Sequence, residues 1–161
     1  MVDPFLLAKQ QRSLHGKIAI STMARMGKLL AGTDGEVEYT VNFSTDADGR
    51  AFINGALQSQ ITMCCQRCLQ LFKMPVSSDF VVSPVLDDEQ AKDLPTEYEP
   101  VSLHAGKLLD VEELIEDELI LVMPLMTMHD EQDPNCQQLA IPTGTTDVTQ
   151  EKKNPFQCIN S

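Results

Sequence analysis

Glu36-Val37-Glu38-Tyr39-Thr40-Val41-Asn42-Phe43-Ser44-Thr45 alternates strictly, with Val37, Tyr39, Val41 and Phe43 on one side and polar residues on the other. A period of two belongs to a strand with one buried face, so the fold is built on a sheet that turns one side to a core. Working outward, Asp46-Ala47-Asp48-Gly49 supplies turn chemistry, and Phe52 to Met63 returns as a second strand with Ile53, Leu57, Ile61 and Met63 on one side. Beyond a Cys65 to Cys68 turn, a third run places Phe72, Met74, Val76, Phe80 and Val82 in register across Ser77 and Ser78. Strands joined by short turns pair antiparallel, which predicts a meander and not a βαβ unit.

The strongest helix signal is Asp110 to Val122, where Val111, Leu114, Ile115, Leu119 and Val122 recur at helical spacing and Asp110 with Glu113 forms a capping-box-like start. That stripe is expected on the sheet. Glu112, Glu113, Glu116, Asp117 and Glu118 are expected on the opposite, solvated side, and Pro124 closes the helix. At the other end of the chain, Asp3 as N-cap and Pro4 at the first helical position predict a short helix that stops by Gly16. Asp87 to Leu94 is read as a short exposed helix, and Tyr98 to Leu103 as a short edge strand. The predicted class is therefore α+β: a twisted antiparallel sheet, a meander or partial barrel, packed by one main amphipathic helix, with a short N-terminal helix and a flexible C-terminal tail. Residues 1–126 are expected to form the single domain. Residues 127–161 are expected to be a polar, largely flexible segment, with too few apolar residues between 137 and 153 to offset ordering entropy.

A chain of 161 residues can bury one core without disulfides. Leu119 to Met126 is too short for a membrane span, and Asp3 stands where a signal peptide carries bases, so a cytoplasmic location is expected. Five cysteines, two of them adjacent, do not make a secreted disulfide framework. The formal charge of −12 is unevenly spread, since residues 79–133 hold sixteen acids against only Lys92 and Lys107. Such a surface repels phosphate backbones, so any role around nucleic acid is expected to run through a basic protein, with direct RNA binding weak or indirect. Simple solubility is the plainer account of the same charge.

Cys65-Gln66-Arg67-Cys68 is half of a tetrahedral metal site, because two thiolates presented from one tight turn can grip one ion. The complements the chain offers are His129 and Cys136; Cys64 is expected to point into the sheet. Two small residues in a hairpin turn, without metal, is the competing account. Thioredoxin-like redox chemistry needs a βαβ context that these strands do not give. No glycine-rich phosphate loop or nucleophile elbow is present, and the carboxylates from Glu112 to Glu118 lie on a helix face without a pocket to separate their pKa values. No catalytic residue is therefore assigned. Phe43, Phe52, Phe72 and Phe80 serve the core more readily than base stacking.

In order along the chain stand Cys65-Gln66-Arg67-Cys68-Leu69, Phe80-Val81-Val82-Ser83-Pro84-Val85, Asp87-Asp88-Glu89-Gln90-Ala91, Leu94-Pro95 and Tyr98-Glu99-Pro100. Glu116-Asp117-Glu118-Leu119-Ile120-Leu121 then leads through Pro124 to His129-Asp130, and Lys153-Asn154-Pro155-Phe156 follows near the end. As a set these resemble the bacterial YceD family, the large ribosomal RNA subunit accumulation proteins, in its proteobacterial branch. The resemblance implies a role in synthesis, processing or stability of large-subunit (23S) ribosomal RNA, with Asn154, Pro155 and Phe156 as a tail motif. It supplies no active site. Our expectation is a ribosome-biogenesis accessory factor that meets a basic ribosomal protein or assembly factor through Glu112, Glu116 and Asp117; no cofactor is required, and if a metal is bound it is expected to be structural zinc held by Cys65, Cys68, His129 and Cys136. The rivals are an RNA-processing nuclease, which needs carboxylates converging on magnesium in a pocket, and a metal- or redox-responsive regulator.

Overall fold

A computed structural model describes residues 1–103, 108–130, 133 and 136. The order of elements is helix α1 (Pro4–Lys9), strand β1 (Ser13–Ala19), two 3-10 turns (Ile20–Thr22 and Met26–Lys28), strands β2 (Glu36–Thr45), β3 (Ala51–Cys64) and β4 (Leu71–Val85), helix α2 (Asp88–Lys92), strand β5 (Glu99–Ser102) and helix α3 (Val111–Leu121). The five strands form one sheet in sequence order. β1 to β4 pair antiparallel as a meander, whereas β5 runs parallel to β4 over Val82 to Val85. The sheet is thus mixed, and the expected all-antiparallel pairing fails at its last strand. α2 lies between β4 and β5, and the longer connection returns the chain to run in the direction of β4.

The alternation in β2 is realised: Val37, Val41 and Phe43 are buried, opposite Ser59, Gly55 and Ile53 of β3. The β2–β3 turn is held by Asp46, whose carboxylate accepts from the backbone N–H groups of Asp48 (3.0 Å) and Arg50 (2.8 Å). Phe80 of β4 pairs with Gly55 and lays its ring where a side chain would stand, since a Cβ on Gly55 would come within 2.0 Å of Phe80 Cζ. The absence of a side chain at Gly55 is what lets the aromatic ring close the middle of the core.

Ile18, Val37, Val41, Ile53, Leu57, Ile61, Val76 and Val82 form one buried cluster with Ala8 of α1, Ile20, Met23 and Met26 of the turns, and Leu114, Ile115 and Leu119 of α3. Thr40, Asn42, Asn54, Gln58, Gln60 and Ser77, which alternate with these along β2 to β4, are exposed. Asp3 caps α1 by accepting from Phe5 and Leu6 at 3.0 Å each. α1 nonetheless ends at Lys9, well short of the expected stop, and Gly16 lies inside β1 under the ring of Tyr39. Asp110 caps α3 by accepting from Glu112 and Glu113.

Candidate metal centre and its acidic neighbour

β3 and β4 are joined by a knuckle. The Cys65 N–H donates to the Gln70 carbonyl (2.9 Å) and the Leu69 N–H to the Cys65 carbonyl (2.8 Å), with Leu69 at φ +61° closing the turn. The left-handed conformation at a branched residue is strained. The turn buries Cys65 completely. Cys64, the last residue of β3, is exposed, against the expectation that it points into the sheet: with Met63 facing the core, the period of two turns Cys64 outward.

The chain returns to this knuckle after α3. Thr127 is buried and fastened twice: its Oγ1 donates to the Cys64 carbonyl (2.9 Å), and its own carbonyl accepts from Gln66 N–H (2.8 Å). Two residues on, the His129 ring stacks at a tilt on Phe72, centroids 4.4 Å apart, and brings Nδ1 to 3.5 Å from Cys68 Sγ. Backbone bonds from Asp133 N–H to Asp130 and from Cys136 N–H to Asp133 turn the segment back, leaving Cys136 Sγ 3.8 Å from Cys65 Sγ. One donor atom from each of Cys65, Cys68, His129 and Cys136 lies within 4.8 Å of the others, and the cluster could hold a metal ion. These are the four positions named from the sequence.

Around the cluster the polar groups favour thiolates. Burial alone would raise the Cys65 thiol, but N–H groups of His129, Cys68 and Arg67 aimed at its sulfur outweigh that and bring it from 9.0 to about 5. Burial pushes the Cys68 thiol up, with the neighbouring Cys65 and Cys136 sulfurs adding to the rise. Arg67 Nε donates to Cys136 Sγ at 3.0 Å and its Nη2 to the Asp130 carbonyl at 3.3 Å, so one guanidinium ties the two segments together. This contact was not foreseen, because nothing in the spacing of Arg67 shows that residue 136 returns to it.

The acidic residues of α3 divide differently from the expectation. Glu112 and Glu113 are exposed and Asp117 is half-buried, whereas Glu116 and Glu118 are buried. Glu116 Oε1 accepts from the backbone N–H groups of Arg25 (2.8 Å) and Met26 (2.9 Å), and Oε2 from Arg25 Nε (3.1 Å), while Arg25 also pairs with Asp117. Glu116 is thus a brace between α3 and the second 3-10 turn, not part of a free acidic surface. Burial would raise its carboxyl, but these donors hold it below the usual carboxylate range. For Glu118, burial, with Glu99 and Asp117 nearby, pushes its carboxyl up, and no donor to it is found among the described residues. Asn154, Pro155 and Phe156 lie outside the described residues, as does the stretch 137–161 expected to be flexible. No helix among the described residues is long and apolar enough to cross a membrane.

A model of the family described as large ribosomal RNA subunit accumulation protein YceD matches residues 53–159. A Haemophilus influenzae protein of that same name is 31% identical over 128 residues, which cover 80% of this chain and 74% of the relative. No solved structure matches the chain.

Proposed function

The chain belongs to the YceD family of large ribosomal RNA subunit accumulation proteins, a class of ribosome-biogenesis accessory factor, and we propose that it supports synthesis, processing or stability of 23S RNA through protein–protein contacts in the cytoplasm. The observation that carries the mode of action is charge. Residues 79–133 bear a net −14, a field that opposes the counterion release behind RNA binding and favours a Lys- and Arg-rich ribosomal protein or assembly factor. Of the three α3 carboxylates expected at that contact, Glu112 is exposed and Asp117 is half-exposed beside Arg25, while Glu116 is buried against the same arginine. The reading is non-enzymatic: Glu116 braces Arg25 and Met26, Glu112 faces solvent, and Glu113 and Asp117 line a groove beside β5 with Asp110, whose carboxylate is already used as the N-cap of α3.

The same reading takes the cluster as structural zinc. A tetrahedral centre with Zn–S bonds of about 2.3 Å and Zn–N bonds of about 2.0 Å has S···S edges of about 3.8 Å and S···N edges of about 3.5 Å. The Cys65–Cys136 and Cys68–His129 separations are 3.8 and 3.5 Å. Three thiolates and a neutral imidazole would leave the zinc site with one negative charge, which Arg67 offsets.

Loss of the gene should lower the ratio of large to small subunits in a sucrose-gradient profile. Glu112→Lys with Asp117→Lys should fail to restore it. An unchanged profile and unchanged 23S RNA in the null strain, in the cold as well as at ordinary temperature, would refute the reading. For the metal, protein purified without added zinc should contain one equivalent, lost in Cys136→Ser; metal-free wild type would leave only a hairpin turn.

A further inference from the structure

Large apolar side chains are concentrated around the knuckle. Leu69 and Leu71 are 64% and 63% exposed on the hairpin, and Leu125, Met126 and Met128 are 99%, 63% and 43% exposed on the segment that returns to it. Thr127, buried between two of them, pins this segment down, so Met126 and Met128 are displayed outward by a fixed anchor. Leu71 of the hairpin and Met128 of the returning segment line one groove, together with Phe72, Met74 and His129. Among the described residues, β4 pairs with β3 alone between Leu71 and Val81, and β5 joins it at Val82. Exposed apolar surface on this scale marks an interaction site more often than it occurs by chance.

What covers it is indicated by charge. Among the described residues that line the groove are Asp130 and Asp133, which belong to the segment of net −14, and Lys73. An RNA backbone or an anionic lipid surface would be repelled, and a second copy would set −12 against −12. A basic polypeptide carrying a large apolar side chain satisfies both features: the apolar group fills the groove and the cations meet its rim.

We propose that the groove between Leu71 and Met128 is the docking site for a Lys- and Arg-rich protein segment with an apolar anchor, and that the Cys65–Cys68–His129–Cys136 centre assembles it by fastening its two walls. The walls come from residues far apart in the chain, and among the described residues they are joined by Thr127, by Arg67 and by the four ligands. Metal loss leaves Met128 held by the Thr127 and Arg67 contacts alone and releases His129, which lines the groove, so capture is metal-dependent. This rests on the partner and zinc readings above and names where on the protein they act together.

The probe is the protein fraction extracted from purified large ribosomal subunits, presented to immobilised full-length chain. A photo-crosslinking residue replaces Leu71 or Met128, or Gln58 on the bare sheet face as control. Expected are crosslinks from 71 and 128, but not 58, to one basic protein, mapped by mass spectrometry to a Lys/Arg-rich peptide. Leu71→Ser/Met128→Ser should retain that protein at least tenfold less while keeping its zinc, and Cys136→Ser should fall equally. Retention of the basic protein by the double variant at the wild-type level overturns the groove and leaves the partner reading standing. Crosslinks to RNA or to a second copy also overturn it. Failure of wild type to retain any subunit protein removes the partner reading and the groove with it.

Discussion

Glu116→Ala should destabilise the protein severely, although helical periodicity sets this residue off the apolar stripe. The side chain is 11% exposed and accepts three hydrogen bonds, two of them from backbone N–H groups at the start of the second 3-10 turn, that of Arg25 part-buried and that of Met26 buried. Truncation leaves those two donors without a partner, and each buried unsatisfied group costs about 1–3 kcal/mol. Water reaching the vacated space recovers part of this, so the expected loss is about 3 kcal/mol. Glu116→Gln keeps one oxygen facing the two N–H groups and gives up the charge on Arg25, for a loss of about 1 kcal/mol. Urea unfolding in reductant and chelator, followed by far-UV circular dichroism, reads both as a fall in midpoint at constant slope. The pH dependence follows from the lowered carboxyl. The folded state holds its proton less tightly than the unfolded chain, so the stabilisation is full above the unfolded value and is lost as pH falls through the folded one. The gap between wild type and Glu116→Gln should therefore close in acid. An Ala variant within about 0.5 kcal/mol of wild type at pH 7 would refute the brace, the range usual for a surface position.

Glu118→Gln should raise the urea midpoint at pH 7: with the folded carboxyl pushed up, ionisation costs stability as pH rises from the unfolded value through the folded one, and the advantage should vanish in acid where both states are neutral. Gly55→Ala should cost about 1–3 kcal/mol by driving a methyl into the Phe80 ring 2.0 Å away, and Phe80→Leu in the same chain should recover part of it, measured as a coupling energy in a double-mutant cycle. Arg67→Gln should weaken zinc binding about tenfold in competition with a chromophoric chelator, since outer groups that hold a ligand sulfur typically contribute 10- to 100-fold; unchanged affinity would show that the Cys136 contact is incidental.

The sheet was readable where side chains alternate without interruption, as in β2, and where strands are long, as in β3 and β4. β1 was not, because only Leu14 and Ile18 mark its inner face and Gly16 between them resembles a helix stop. Its glycine is set by a partner distant in sequence: a Cβ there would meet Tyr39 Oη at 3.0 Å. β5 falls inside the edge strand expected from Tyr98 to Leu103, but its parallel direction was missed, since alternation reports burial and carries no strand direction. Glu118 could have been read correctly, being four residues after Leu114 and four before Val122, inside the stripe. Glu116 could not, because its burial comes from Arg25 and Met26 packing across α3.

The four ligand positions illustrate the same division. Cys65 and Cys68 announce themselves by local spacing, but His129 and Cys136 follow a helix, and only donor chemistry singles them out. What unites the set is Thr127, whose two bonds to residues 64 and 66 bring the chain back to the knuckle before any ligand is reached. Most of the sheet's apolar cluster lies along β1 to β4 and under α3, and it reaches the knuckle only at its end, through Met63 and Phe72. A metal placed there adds little to the folding of the core and acts on the one feature outside it, the display of Met126 and Met128 beside Leu71. The centre is consequently best understood as a clamp on a surface, and its removal should be felt in what the protein holds before it is felt in whether the protein folds.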